Sequence, residues 1–158
     1  MRAVTDALKG SFDGNWGFLL KEIDLCPDSV WGKKAGGFVF WQQLYHCFAT
    51  IDFFISPKDA APAPGPWGAD VAGFKAAPNK TATKDELRAY AAKQKAAADA
   101  WFATVDDASL LKEHEGLSFR WKQPMTNATV IALMTGHSMY HVGSCDAILR
   151  DNGVSGVL

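Results

Sequence analysis

The segment spanning residues 37–55, GFVFWQQLYHCFATIDFFI, constrains the chain more than any other. It is apolar on nearly every side, and Asp52 is its only acidic residue. A helix of that kind is stable only at the centre of a core or against a partner subunit. Ser56-Pro57 ends it, because proline disfavours helical backbone in the residue before it.

Three further segments have helical period. Residues 4–23 place Val4, Leu8, Phe12, Trp16, Leu19 and Ile23 along one side. Gly10, Gly14 and Gly17 weaken that helix, since each costs about 1 kcal/mol against alanine, and a break near Gly10 is compatible with the pattern. From Lys84 to about Val105, the residues Leu87, Tyr90, Ala91, Gln94, Ala98, Trp101, Phe102 and Val105 form a stripe, and Thr83 with Glu86 reads as a capping box. The last segment runs from Thr126, an N-cap residue, to Gly153, a C-terminal stop.

The joints between them differ in kind. Residues 56–80, rich in Pro, Gly and Ala, form a linker far longer than the ~2–8 residues that join neighbours in an up-down bundle. A chain of that length can return along the bundle, so that the second and third helices run parallel. In residues 106–125, Leu117, Phe119 and Trp121 alternate with polar residues in LSFRW, which predicts a short extended piece. The pattern as a whole predicts an all-α protein, a single four-helix-bundle domain over residues 1–158.

Composition narrows the function classes. Sixteen basic and 17 acidic residues give a net charge of -1, and the lysines and arginines are scattered, so no footprint for nucleic acid or an acidic membrane is present. No stretch approaches the ~20 apolar residues of a membrane-spanning helix. The N-terminal sequence lacks the apolar core of a secretion signal, and Cys26, Cys47 and Cys145 are odd in number and widely spaced. A reducing, cytoplasmic setting is the expectation.

The last helix carries the chemistry. With Val130 as origin and 100° per residue, Leu133, Met134, His137, His141, Ser144, Cys145 and Ile148 fall within about 60° of one direction. His137 and His141 are thus expected at the centre of a core-facing stripe. Their Cβ atoms lie ~5–6 Å apart, close enough for both rings to reach one metal ion. His46, in the middle of the apolar helix, is the natural third ligand. Its face holds Val39, Gln42, Gln43, Ala49, Thr50 and Phe53, smaller and more polar than the face of Leu44, Phe48, Ile51 and Ile55. Three histidines from two helices leave a coordination position open, as in catalytic rather than structural metal sites. Hydrogen-bonded core histidines are the plain alternative, but three unpartnered imidazoles would each cost ~1–3 kcal/mol to bury.

LYHCFATIDFFI (residues 44–55) and GHSMYHVGSCDAILR (residues 136–150) resemble the second-helix and last-helix motifs of the DinB-like superfamily. The first has a histidine followed by an acidic residue and aromatics, and the second two histidines four apart with a glycine two further on. The resemblance spans most of the chain in helix order. It implies a four-helix bundle of up-down-down-up topology with a long crossover between helices 2 and 3. It also implies a three-histidine site for a divalent metal ion, often zinc, nickel or iron, whose ligands fall on His46, His137 and His141. Homodimers are common in such proteins, and the activities known among them include metal-dependent hydrolysis and thiol-dependent transfer or isomerisation. The Ala- and Pro-rich linker departs from the family pattern, so the residues covering a pocket do not carry over.

The remaining candidates read more plainly. His114, in KEHEG, is expected as a solvated loop residue. Ser138 follows His137, so the glutamate of an HExxH metalloprotease is missing. Cys145 could line a pocket but reads first as a small buried residue. Gln42, Gln43, Asp52 and Tyr140 each have both a packing and a pocket role open. The sequence therefore predicts a metal-dependent hydrolase or thiol transferase acting on a small molecule. The alternative is a non-enzymatic metal- or ligand-binding, or stress-response, dimeric bundle.

Overall fold

The computed structural model describes residues 1–35 and 37–158. Four long helices carry the fold: α1 (Ala3–Leu25), α3 (Phe40–Ile55), α5 (Lys84–Ala103) and α7 (Asn127–Asp151). Between them lie two one-turn helices, α2 (Asp28–Trp31) and α4 (Ala69–Ala72), the two-residue strands β1 (Lys34–Ala35) and β2 (Phe38–Val39), a 3-10 turn (Asp107–Ser109) and α6 (Glu115–Trp121). α1 packs on α7 and α5, and α3 packs on α5 and α7, so the core is all-helical.

The apolar helix is central, as its composition requires. Phe40, Trp41, Leu44, Tyr45 and Phe48 are each 0% exposed and meet Phe12, Leu19, Leu87, Phe102 and Val130 in one cluster. The helix begins at Phe40, three residues later than its pattern suggests, because Phe38 and Val39 pair with Lys34 and Ala35 in a small antiparallel ribbon. α1 runs unbroken through its glycines. A Cβ added at Gly10 or Gly14 would meet nothing within 4 Å, and both positions are exposed. Gly10→Ala with Gly14→Ala should therefore raise stability by about 1–2 kcal/mol, read as a higher denaturant midpoint at unchanged slope.

Helix ends follow the local signals. Thr83 accepts from the Glu86 N–H while the Glu86 carboxylate accepts from the Thr83 N–H, closing the capping box. Thr126 caps α7 by accepting from Thr129, and Gly153 follows the helix with φ of 77°.

The LSFRW piece is helical, not extended. His114 accepts from the Leu117 N–H at its start, and Lys122, in left-handed backbone, closes its end on Ser118 O. A Cβ at Gly116 would run into the backbone at Ser56 and Pro57, and Arg120 donates to the carbonyl oxygens of both. Tertiary anchoring thus decides a segment too short to be helical by itself. It also buries Leu117 while leaving Phe119 and Trp121 exposed.

The long linker keeps only one helical turn, α4, yet its backbone is tied to the bundle by side chains of α3. Gln42 donates to Val71 O and Ala76 O, Tyr45 donates to Gly68 O, and His46 Nδ1 bonds Ala72 O. The Trp31 indole holds its far end through Ala82 O. The linker is therefore a fixed cover on α3, placed directly over the histidines.

Candidate metal centre

α3 and α7 face each other, and the structure brings together all three histidines that the sequence singles out. His46 Nε2 lies 3.0 Å from His137 Nε2, which lies 3.2 Å from His141 Nε2. One ring nitrogen from each residue falls within 4.8 Å of the other two, the geometry of a possible metal-ion site. The cluster sits at the rim of the core: His141 is buried, whereas His46 and His137 are partly exposed. The buried stripe of α7 is centred nearer Val130, Met134, Ser138, Val142, Cys145 and Leu149 than the helical wheel suggests. The reason is that α1 packs on α7 beside α3 and draws the stripe towards itself.

The hydrogen bonds favour one tautomer in two of the rings. His46 Nδ1 faces Ala72 O at 2.5 Å, and a carbonyl only accepts, so the proton is on Nδ1. Thr50 Oγ1 gives its one hydrogen to Cys47 O, which leaves it to accept from His137 Nδ1 at 3.3 Å. The Nε2 atoms of His46 and His137 are then both bare lone pairs, facing each other at 3.0 Å without a proton to share. Two lone pairs so placed repel unless a cation lies between them. Ligand nitrogens at ~2.0–2.1 Å from a tetrahedral ion stand roughly 3.3–3.4 Å apart, close to the separations found.

Burial supports the same state. It lowers the His46 imidazole from its ordinary value, and His137 is lowered to about 4 by burial and then by His46. His141 is lowered to about 3 by burial, then by His137 and His46. All three rings are neutral near pH 7, as a metal ligand must be. His141 Nδ1 is buried with no partner among the described residues, so this ring is oriented by packing alone.

Aromatic side chains enclose the cluster. Phe74, from the linker, stacks on His46 with centroids 4.3 Å apart and holds φ of 58°, rare for a bulky side chain. Phe38 stacks on Phe74 in turn, Phe54 meets the edge of His137, and the exposed Tyr140 stands edge-on to His141. Sequence reasoning did not assign Phe74 or the Ala72 carbonyl, and nothing in the linker's composition marks them. Thr50 was legible only as a polar neighbour on the His46 face.

The other candidates resolve mostly into structure. His114 is buried and caps α6, contrary to the expectation of a solvated loop residue, because its ring replaces water as acceptor for the Leu117 N–H. Gln42 binds the linker, and Gln43 accepts from Ser144 while its own Nε2 finds no partner among the described residues. Asp52 accepts from Gln94, away from the histidines. Cys26, Cys47 and Cys145 are free and buried, and burial pushes Cys26 and Cys47 to about 12.

A bundle with three histidines converging from two helices is the frame of a metal-binding class of helical proteins. The sequence model of the DinB superfamily matches residues 11–145, and the chain belongs to that superfamily. No curated protein matches the chain. Nor does any solved structure.

Proposed function

We propose that this chain is a metal-dependent enzyme acting on a small molecule, as a hydrolase or as a transferase using an external thiol. His46, His137 and His141 are its metal ligands. The observation that carries this reading is the pair of bare Nε2 atoms held face to face by Ala72 O and Thr50. Three neutral imidazoles suit zinc, nickel or iron among divalent ions. A bound ion supplies Lewis acidity, polarising a substrate atom or making a water more acidic.

The residues around the cluster divide the remaining work. Ala72 O and Thr50 orient two of the ligand rings, as partners to the second ring nitrogen do in metal sites. Phe74, Phe38 and Phe54 form an apolar wall that excludes water from one side and favours a substrate with an apolar part. Tyr140, exposed beside His141, offers a phenol hydroxyl to a group approaching from solvent. The protein's own thiols are not the nucleophile, since burial holds Cys47 and Cys26 protonated. Three free, buried cysteines accord with a reducing cytoplasm, and the homodimer common among such proteins is the proposed working form. Among the described residues no helix is long and apolar enough to cross a membrane.

Metal-saturated protein should turn over at least one substrate in a panel of esters, amides and thiol acceptors supplied with small thiols. Tyr140→Phe should slow that turnover without loss of metal. Silence across the panel at full metal occupancy would replace the enzyme reading with that of a metal-binding module.

A further inference from the structure

A cavity of ≈ 960 Å³ lies on another side of α3, between that helix, α5 and the linker. Its size is within the range of small-molecule sites. Asp52 lies six residues from His46, about 120° away around the helix, so this cavity and the histidine cluster open in different directions. Pro64, Pro66, Trp67 and Tyr90 supply apolar and aromatic wall, while Asp52 and Gln94 supply polar groups.

Those polar groups are arranged as unspent acceptors. Gln94 is 1% exposed and gives its two amide hydrogens to Asp52 Oδ2, at 3.0 Å, and to Tyr90 Oη, at 2.9 Å. The bond to Asp52 rules out the flipped amide, because an oxygen there would face a carboxylate. Gln94 Oε1 is left buried with no donor among the described residues. A buried acceptor without a donor costs ~1–3 kcal/mol, and since solvent does not reach this oxygen the cost is carried by the Gln94 amide itself, held in place by its bonds to Asp52 and Tyr90. Asp52 keeps Oδ1 free of protein donors among the described residues, and a carboxylate oxygen on the cavity wall is answered best by a cationic donor. Trp67 and Tyr90 pack edge to face, with centroids 6.1 Å and planes 87° apart, and give the cavity an aromatic wall suited to a cation with an apolar body. Of the two lysines here, Lys80 is directed to Glu86 and Lys93 is exposed.

We infer that this cavity is a second binding site, distinct from the histidine cluster, for a small organic ammonium ion with an aromatic or apolar body. Its ammonium group donates to Asp52 Oδ1, and its body lies along Trp67 and Tyr90. The inference is independent of the metal reading.

The test is calorimetric titration of the metal-loaded full chain with 2-phenylethylammonium and with its neutral isostere, 2-phenylethanol. The amine should bind saturably at one site, about tenfold or more tighter than the alcohol, since hydrogen bonds to charged groups are the stronger ones. Asp52→Asn should weaken the amine about tenfold, and Ala89→Trp, which fills the cavity from the exposed face of α5, should abolish binding. His46→Ala should leave it unchanged, because an amine bound to the metal would be lost in that variant. Absence of amine binding, equal affinity for the alcohol, or loss in His46→Ala overturns the proposal. Should Asp52→Asn fail to fold by circular dichroism, retention of binding in Ala89→Trp overturns it equally.

Discussion

Purified from metal-replete medium, the chain will carry about one divalent ion, and His46→Ala will carry little or none. The expectation follows from the two Nε2 atoms 3.0 Å apart, each on a ring whose other nitrogen is hydrogen-bonded, to Ala72 O and to Thr50. Because the ion binds the folded chain and not the unfolded one, saturation at a hundred times Kd contributes about 2.7 kcal/mol, a rise in Tm of roughly 5–10 °C for a domain of this size. Stripping with a chelator should reverse that rise in the wild type and leave His46→Ala unmoved. Thr50→Val keeps the shape of the side chain but removes the oxygen that accepts from His137 Nδ1. It should weaken metal binding about tenfold or more while the circular dichroism spectrum stays the same. Equal metal content in wild type and His46→Ala would remove the basis for the ligand assignment.

Glu22 should make the metal-free protein lose stability as the pH rises from about 6.5 to about 8. This carboxyl is 0% exposed in α1, both its oxygens lack partners among the described residues, and burial, then the charge of Asp146, raises its pKa to about 8. Between the ordinary carboxylate value of 4.5 and about 8 the folded state holds a proton that the unfolded state has released. Stability then falls with rising pH by up to about 1.4 kcal/mol per unit, and is fully present only below the unfolded pKa. The three histidines act with the opposite sign. Their depressed values mean that the unfolded chain binds more protons below about pH 6.5, so acid destabilises the metal-free fold down to about pH 3. The two effects oppose each other up to about 6.5, and above it Glu22 acts alone. Glu22→Gln, which cannot ionise, should flatten the alkaline limb of urea-determined stability against pH. An unchanged slope in that variant would mean that Glu22 is not protonated in the fold.

Much of this was written in the residues themselves. The run of Phe, Trp, Leu and Tyr in α3 left it no stable place but a core, and Phe40, Trp41, Leu44, Tyr45 and Phe48 are fully buried there. The period of the other three helices, the Thr83–Glu86 box and the Thr126 cap are local rules, satisfied by residues close in sequence, and each is present. The three histidines were legible for the same reason: helical spacing placed His137 and His141 one turn apart, and the apolar surroundings of His46 made its polarity conspicuous. Where the signal was weak, as in the seven residues of α6, local alternation misled, because contacts with Ser56 and Pro57 outweigh propensity in so short a piece.

The chain alone thus determined that the four long helices form, which of their faces are apolar, and that histidines lie on two of them. Only the tertiary structure decided what those rings do with their protons. The Ala72 carbonyl reaches His46 across 26 residues of a linker with no periodic pattern, and Thr50 reaches His137 across 87. Contacts between such distant positions arise from packing whole elements together, and no local rule of spacing or propensity encodes them.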